Sequence, residues 1–147
     1  MGKDAAEHRV EIEGTPQACF DALVDYESMP EWSSAVRSCE VLGRDRAKRG
    51  RQVAWEIDAK VRTVRYTLEY DYDEPHHIDC RFVEGDVKDL DGEYELEDSG
   101  DGTTLATFSL RIDPGLWLPG KVKGMLSDQV MKRSLEDLKV YVEGRAS

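Results

Sequence analysis

The side chains of this sequence best suited to chemistry are three histidines, three cysteines and six tyrosines, and their spacing restricts what each can do. His76 and His77 follow Pro75 in a turn, where adjacent side chains are poorly placed to hold one metal ion, and His8 stands apart from them. No metal site is therefore expected. Cys19, Cys39 and Cys80 form an odd set without CxxC or zinc spacing, and each falls on or beside an apolar pattern, which predicts reduced, largely buried thiols in a cytoplasmic protein. There is no glycine-rich phosphate loop after a strand, and no GxSxG or HExxH run, so no cofactor is expected. Tyr66, Tyr70 and Tyr94 remain as candidates for polar contacts, because a phenol puts a donor on a large apolar body.

The elements that must position these groups follow from periodicity. His8 to Glu13 alternates, with Val10 and Ile12 on one face, and Gly14 ends the strand. Thr15 and Pro16 then supply an N-cap and a first-turn proline for a helix whose Cys19, Phe20, Leu23 and Val24 form one apolar stripe. A short helical turn is expected over Ser28 to Trp32, capped by Ser28. From Ala35 onward the period is two: Val53, Trp55, Ile57 and Ala59, then Val64, Tyr66, Leu68, Tyr70 and Tyr72, then Ile78, Cys80 and Phe82, then Leu90, Gly92, Tyr94 and Leu96, then Ala106, Phe108, Leu110 and Ile112 share successive inner faces. Their intervening neighbours are mostly charged, which describes an antiparallel sheet covered on one side.

The cover is expected from Leu116 to Glu143, read as a helix with Pro119 near its start and Gly144 as its C-cap. Val130, Met131, Leu135, Leu138, Tyr141 and Val142 lie on one side of it, with Lys132, Arg133, Glu136, Lys139 and Glu143 opposite. Continued toward the N-terminus, the apolar stripe meets Ser127, Gly124, Lys123 and Gly120. Two readings stay open: a helix start displaced or kinked at the glycines, or small side chains that leave space above the sheet.

Length and composition agree with one domain over residues 1–147. A net charge of −11 argues against a nucleic-acid binder, whose phosphate-contacting surface needs clustered Lys and Arg, and disfavours permanent residence on an anionic membrane. The basic stretch Arg44 to Arg51 reads as a solvated hairpin turn. No apolar signal core opens the chain, and no run approaches the length of a membrane span.

The run Tyr26-x-x-x-Pro30-x-Trp32, and the Gly92-x-Tyr94 strand followed by the turn Gly100 to Thr103, carry a resemblance. Over roughly Val10 to Val142 the chain resembles the polyketide cyclase/dehydrase and lipid-transport family of the START-like, or SRPBCC, superfamily, although Tyr94 stands where many members have Trp. The resemblance implies an α+β helix-grip fold, in which a curved antiparallel sheet of about seven strands surrounds a long C-terminal helix and two short helices follow the first strand. A cystatin-like cone is disfavoured, because its long helix precedes most of the sheet. The resemblance also implies an internal cavity, but leaves activity open, since one scaffold serves carriers, sensors and enzymes.

Residues expected to line that cavity are Trp32, Trp55, Ile57, Tyr66, Leu68, Tyr70, Phe82, Leu90, Tyr94 and Phe108, with Gly124, Ser127 and Met131 from the helix. Arg62, Glu84 and Lys88 share inward parity near strand ends and are expected at its rim, because an unpaired buried charge is costly. The first expectation is a protein that binds or transports a small hydrophobic molecule such as a lipid, an isoprenoid quinone or a polyketide. A polyketide aromatase/cyclase or dehydratase is the alternative, and no inward acid–base pair identifies a catalytic residue. A third is an interaction module, with Leu118, Val122, Met125 and Leu126 docking on a second copy or a protein partner.

Overall fold

The computed structural model describes residues 4–58, 63–113 and 130–146. Strand β1 (Asp4–Glu13) leads into helix α1 (Pro16–Val24), a 3-10 turn (Tyr26–Ser28) and the short helix α2 (Met29–Trp32). Six strands follow: β2 (Val36–Arg44), β3 (Gly50–Asp58), β4 (Thr63–Asp73), β5 (His77–Gly85), β6 (Asp89–Gly100) and β7 (Thr103–Asp113). Helix α3 (Val130–Ala146) comes last among the described elements. The strands form one antiparallel sheet in the order β1-β7-β6-β5-β4-β3-β2, so β1 crosses over to pair with the last strand while the others are joined to their sequence neighbours.

Local chemistry explains most of the boundaries. The Thr15 hydroxyl accepts a hydrogen bond from the Ala18 amide at 3.1 Å, giving α1 the side-chain cap its sequence announces. Ser28 makes no such bond, because the 3-10 turn already leads the chain into α2 and the Ser28 backbone is itself helical. In the β2–β3 hairpin the Asp45 carboxylate accepts from the amides of Ala47 and Arg49, and Lys48 takes a positive φ of 66°. Arg44 there reaches Glu27 at 2.9 Å, and Arg51 reaches Asp71 at 3.2 Å, so these basic side chains are partnered at the surface.

Helix α3 packs mainly on β1 and α1, with lesser contact to β7 and α2. Met131, Leu135, Leu138 and Val142 are its buried stripe, as the 3.6-residue period predicts. Gly14 makes the approach possible, since a Cβ there would lie 2.6 Å from a methyl of Val142. Polar side chains of the helix tie it to the strand ends: Arg133 donates to the Asp58 carbonyl at 2.9 Å, Lys139 donates to the Glu11 carbonyl at 2.9 Å, and Glu143 accepts from the Glu13 amide at 2.9 Å. Long stems let these side chains reach round to the strand ends. One expectation needs correction: Gly144 does not cap the helix, which runs on to Ala146 with Arg145 donating to the Tyr141 hydroxyl at 2.6 Å. The part of the expected helix before Val130, together with Leu118, Val122, Met125 and Leu126, lies outside the described residues. No helix among the described residues is long and apolar enough to cross a membrane.

Removing the side chain of Leu138, which is fully buried, should cost about 2–5 kcal/mol. Urea unfolding of Leu138→Ala should show that loss, whereas Val140→Ser, at a position 72% exposed on the same helix, should stay within about 0.5 kcal/mol of the parent.

Candidate ligand cavity

The sheet is wider than the described helix can cover. Between its inner face, the α1–α2 segment and the start of α3 lies a cavity of about 90 Å³. Trp55 and Ile57 of β3, Tyr66, Leu68 and Tyr70 of β4, Leu90 and Tyr94 of β6 and Phe108 of β7 line it from the sheet, while Trp32 and Met131 close it from the helices. Strand alternation brings the sheet residues to one face. Also on the wall are Leu23, Tyr26, Met29, Ser33, Val36, Ile78, Cys80, Leu110, Ile112 and Ser134. Parity alone points Ile78, Cys80, Leu110 and Ile112 inward. Tyr26 and Met29 announce themselves only through the Tyr-x-x-x-Pro-x-Trp run that folds over the cavity.

Phe82 is not on the wall. It is half-buried against the core near the end of β5, beyond the last β5–β6 pair, Arg81 with Asp91. Glu84 is not at the rim either. Phe82 pairs with Leu68 but Glu84 pairs with Thr67, so the intervening Val83 forms a bulge that turns Glu84 onto the outer face, beside Glu56 and Arg65. Gly85 completes the distortion with φ 143°, and a Cβ there would lie 2.4 Å from the Tyr66 Cα. Lys88 is exposed, with its ammonium 4.0 Å from Asp113, and does not border the cavity. Arg62, Gly124 and Ser127 lie outside the described residues.

The wall is aromatic and uncharged. Tyr26 meets Trp55 edge-on at 5.7 Å and Tyr70 at 5.2 Å, and Tyr94 stacks on Phe108 at 4.3 Å. Trp32 stacks on Tyr141 of α3 at 4.9 Å, while the amide and hydroxyl of the nearby Ser34 both donate to the Asp137 carboxylate at 2.8 Å. These contacts latch the α2 end of the cover to the helix.

The Tyr26 and Tyr72 hydroxyls lie 2.7 Å apart, and Tyr72 donates to the Gly50 carbonyl at 2.5 Å, so Tyr26 is engaged away from the cavity. The hydroxyls of Tyr66, Tyr70 and Tyr94 have no hydrogen bond among the described residues. Burial pushes all three phenols well above their ordinary pKa, with the neighbouring Cys80 adding to the effect. Cys80 itself is pushed up to about 12, chiefly by burial. These groups remain protonated near neutral pH. They can donate hydrogen bonds, but they are poor bases. Among the described lining residues there is no carboxylate, histidine, lysine or arginine.

Residues 12–139 match the family of polyketide cyclase/dehydrase and lipid transport proteins. The chain belongs to that family. Solved structures with the same fold include a START superfamily protein from Mycobacterium smegmatis, with a TM-score of 0.78 and 21% identity over 96% of this chain and 95% of that one. Another is the Zhui aromatase/cyclase from Streptomyces sp. R1128, at 0.85 and 16% over 99% and 96%. TTHA0849 from Thermus thermophilus gives 0.78 and 21% over 97% and 96%. At these identities the likeness is one of fold, and the fold is the START-like helix grip. No curated protein matches the chain by sequence.

On the outer face the family scaffold carries a separate cluster. His77 begins β5 instead of remaining in the turn, which brings its Nε2 to 3.0 Å from Asp79 and 3.3 Å from Glu93, with a Glu95 carboxylate oxygen also near. Burial alone would lower the imidazole pKa, but the Asp79 hydrogen bond and the charges of Asp79, Glu93 and Glu95 together raise it. A raised folded-state pKa means the imidazolium contributes stability that is fully present below the unfolded value of 6.5 and is lost as pH rises through the folded value. Urea midpoints of the parent should therefore fall between about pH 6 and pH 8 by an increment that His77→Gln lacks. Equal slopes in the two proteins would show that His77 is not so coupled.

Proposed function

We propose that this protein binds a small hydrophobic molecule in the cavity between sheet and helix, as a carrier or reservoir and not as a catalyst. The observation that carries this reading is the character of the wall, which is apolar and aromatic, holds neutral hydroxyl donors, and bears no ionisable group suited to proton transfer near neutral pH among its described residues. Binding would draw its free energy from apolar surface removed from water, at about 25 cal/mol per Å². At about 90 Å³ the cavity is smaller than the roughly 300–1,000 Å³ of typical ligand sites, so a ligand must widen it. The Met29 and Met131 side chains can repack at little cost, and the Trp32–Tyr141 stack with the Ser34–Asp137 latch marks where the cover would part. Three free thiols fit a reducing compartment, so the place of action in this reading is the cytoplasm.

The second reading is a polyketide aromatase/cyclase, a class named among the similar structures. Folding a reactive chain by shape alone is within the reach of such a wall, through orientation of the reacting atoms. A general base would have to come from outside the described lining, since the phenols are held in their acid form.

Ser134 faces the cavity from α3, and a Phe ring in its place would occupy much of the space. Binding of an apolar fluorescent dye such as N-phenyl-1-naphthylamine should saturate at one site in the parent and weaken at least tenfold in Ser134→Phe, with thermal stability kept or raised. Undiminished dye binding by a folded Ser134→Phe protein would place the ligand elsewhere.

A further inference from the structure

We propose that the cavity selects ligands bearing an oxygen acceptor, such as a ketone or ester carbonyl, and that the indole N–H of Trp55 holds that oxygen, with Trp32 as a second donor. This rests on the reading of the cavity as a ligand site. Both indoles are cavity walls, and the Nε1 atoms of both are buried without a hydrogen-bond partner among the described residues. An indole N–H can only donate, and native structures rarely leave a buried donor unmatched. Trp55 is 9% exposed and is paired with Tyr66 across the β3–β4 ladder and in ring contact with Tyr26 and Tyr70, all three on the cavity wall.

Its neighbours do not supply the acceptor. The Tyr26 hydroxyl is joined to Tyr72, and no carboxylate lines the cavity among the described residues. The protonated phenols of Tyr66, Tyr70 and Tyr94 can accept as well as donate, yet neither they nor the Ser33 and Ser134 hydroxyls partner the indoles. Two donors are thus left without an acceptor on a wall without formal charge. A cationic ligand would meet no counter-charge and an aliphatic hydrocarbon would leave the indoles unmatched, whereas a neutral carbonyl compound satisfies them without bringing an ion into an apolar site.

The test compares 1-tetralone with tetralin, which differ by a carbonyl in place of a methylene, on the ¹⁵N-labelled full-length protein. The indole N–H resonances are assigned with Trp55→Phe and Trp32→Phe. Tetralone should move the Trp55 Nε1–H resonance downfield while tetralin leaves it near its ligand-free position, and Trp55→Phe should weaken tetralone about tenfold with little effect on tetralin. Equal shifts from the two ligands, or equal weakening of both by Trp55→Phe, would overturn the assignment while leaving an apolar cavity site intact. Failure of both ligands to bind the parent would bring down the cavity reading, and the inference with it. Should Trp55→Phe not fold, the resonance assigned by elimination from Trp32→Phe and Trp117→Phe still decides through the parent spectra.

Discussion

Met131, Leu135, Leu138 and Val142 form the seam on which helix α3 meets the sheet, and all four are buried. That seam lies toward β1 and α1, so the helix holds down one flank of a seven-stranded sheet. The inner faces of β3 to β6 are equally apolar and must be covered by something else. Part of the cover is the α1–α2 segment, fastened to α3 by the Trp32–Tyr141 stack and the Ser34–Asp137 hydrogen bonds. What the cover does not fill is the cavity. Among the described residues the site is thus a consequence of geometry: helix α3 and the α1–α2 segment leave this space beneath the sheet.

Charge is distributed to match. The acidic excess is carried largely on the outer face, where Arg81 bridges Asp71 at 2.6 Å and Glu69 at 2.7 Å and His77 sits among carboxylates. Such exposed pairs add little stability individually. Their use is to keep one face of the sheet wet while the other is dry. On the dry face burial raises the pKa of Tyr26, Tyr66, Tyr70, Tyr94 and Cys80, all in the direction of the neutral form. A site kept neutral in this way favours recognition over proton transfer.

Alternation along the strands is enough to bring Trp55, Tyr66, Tyr70 and Tyr94 to one side, because side-chain direction in a strand follows a period of two with no tertiary information. The same rule fails at Glu84, where the bulge at Val83 adds a residue between two ladder pairs and reverses parity. Its trace in the sequence is Gly85, whose φ of 143° suits few other residues. The helical stripe is legible from Met131 to Val142, but the end of the helix is not: a glycine near a C-terminus reads as a cap, while Gly144 stays within the helix. Tyr26 and Met29 were beyond the reach of periodicity for a different reason. They join the wall because a short segment folds back over the sheet, and that long-range placement is visible in sequence only through family likeness.

The most direct measurement of the central claim is native mass spectrometry of the purified protein, followed by solvent extraction and identification of whatever is released. The account predicts one small apolar molecule per chain, lost on denaturation and recovered in the extract. A protein that carries nothing and fails to take up any member of a lipid and polyketide panel would contradict it, and would make the space under the sheet an ordinary packing void.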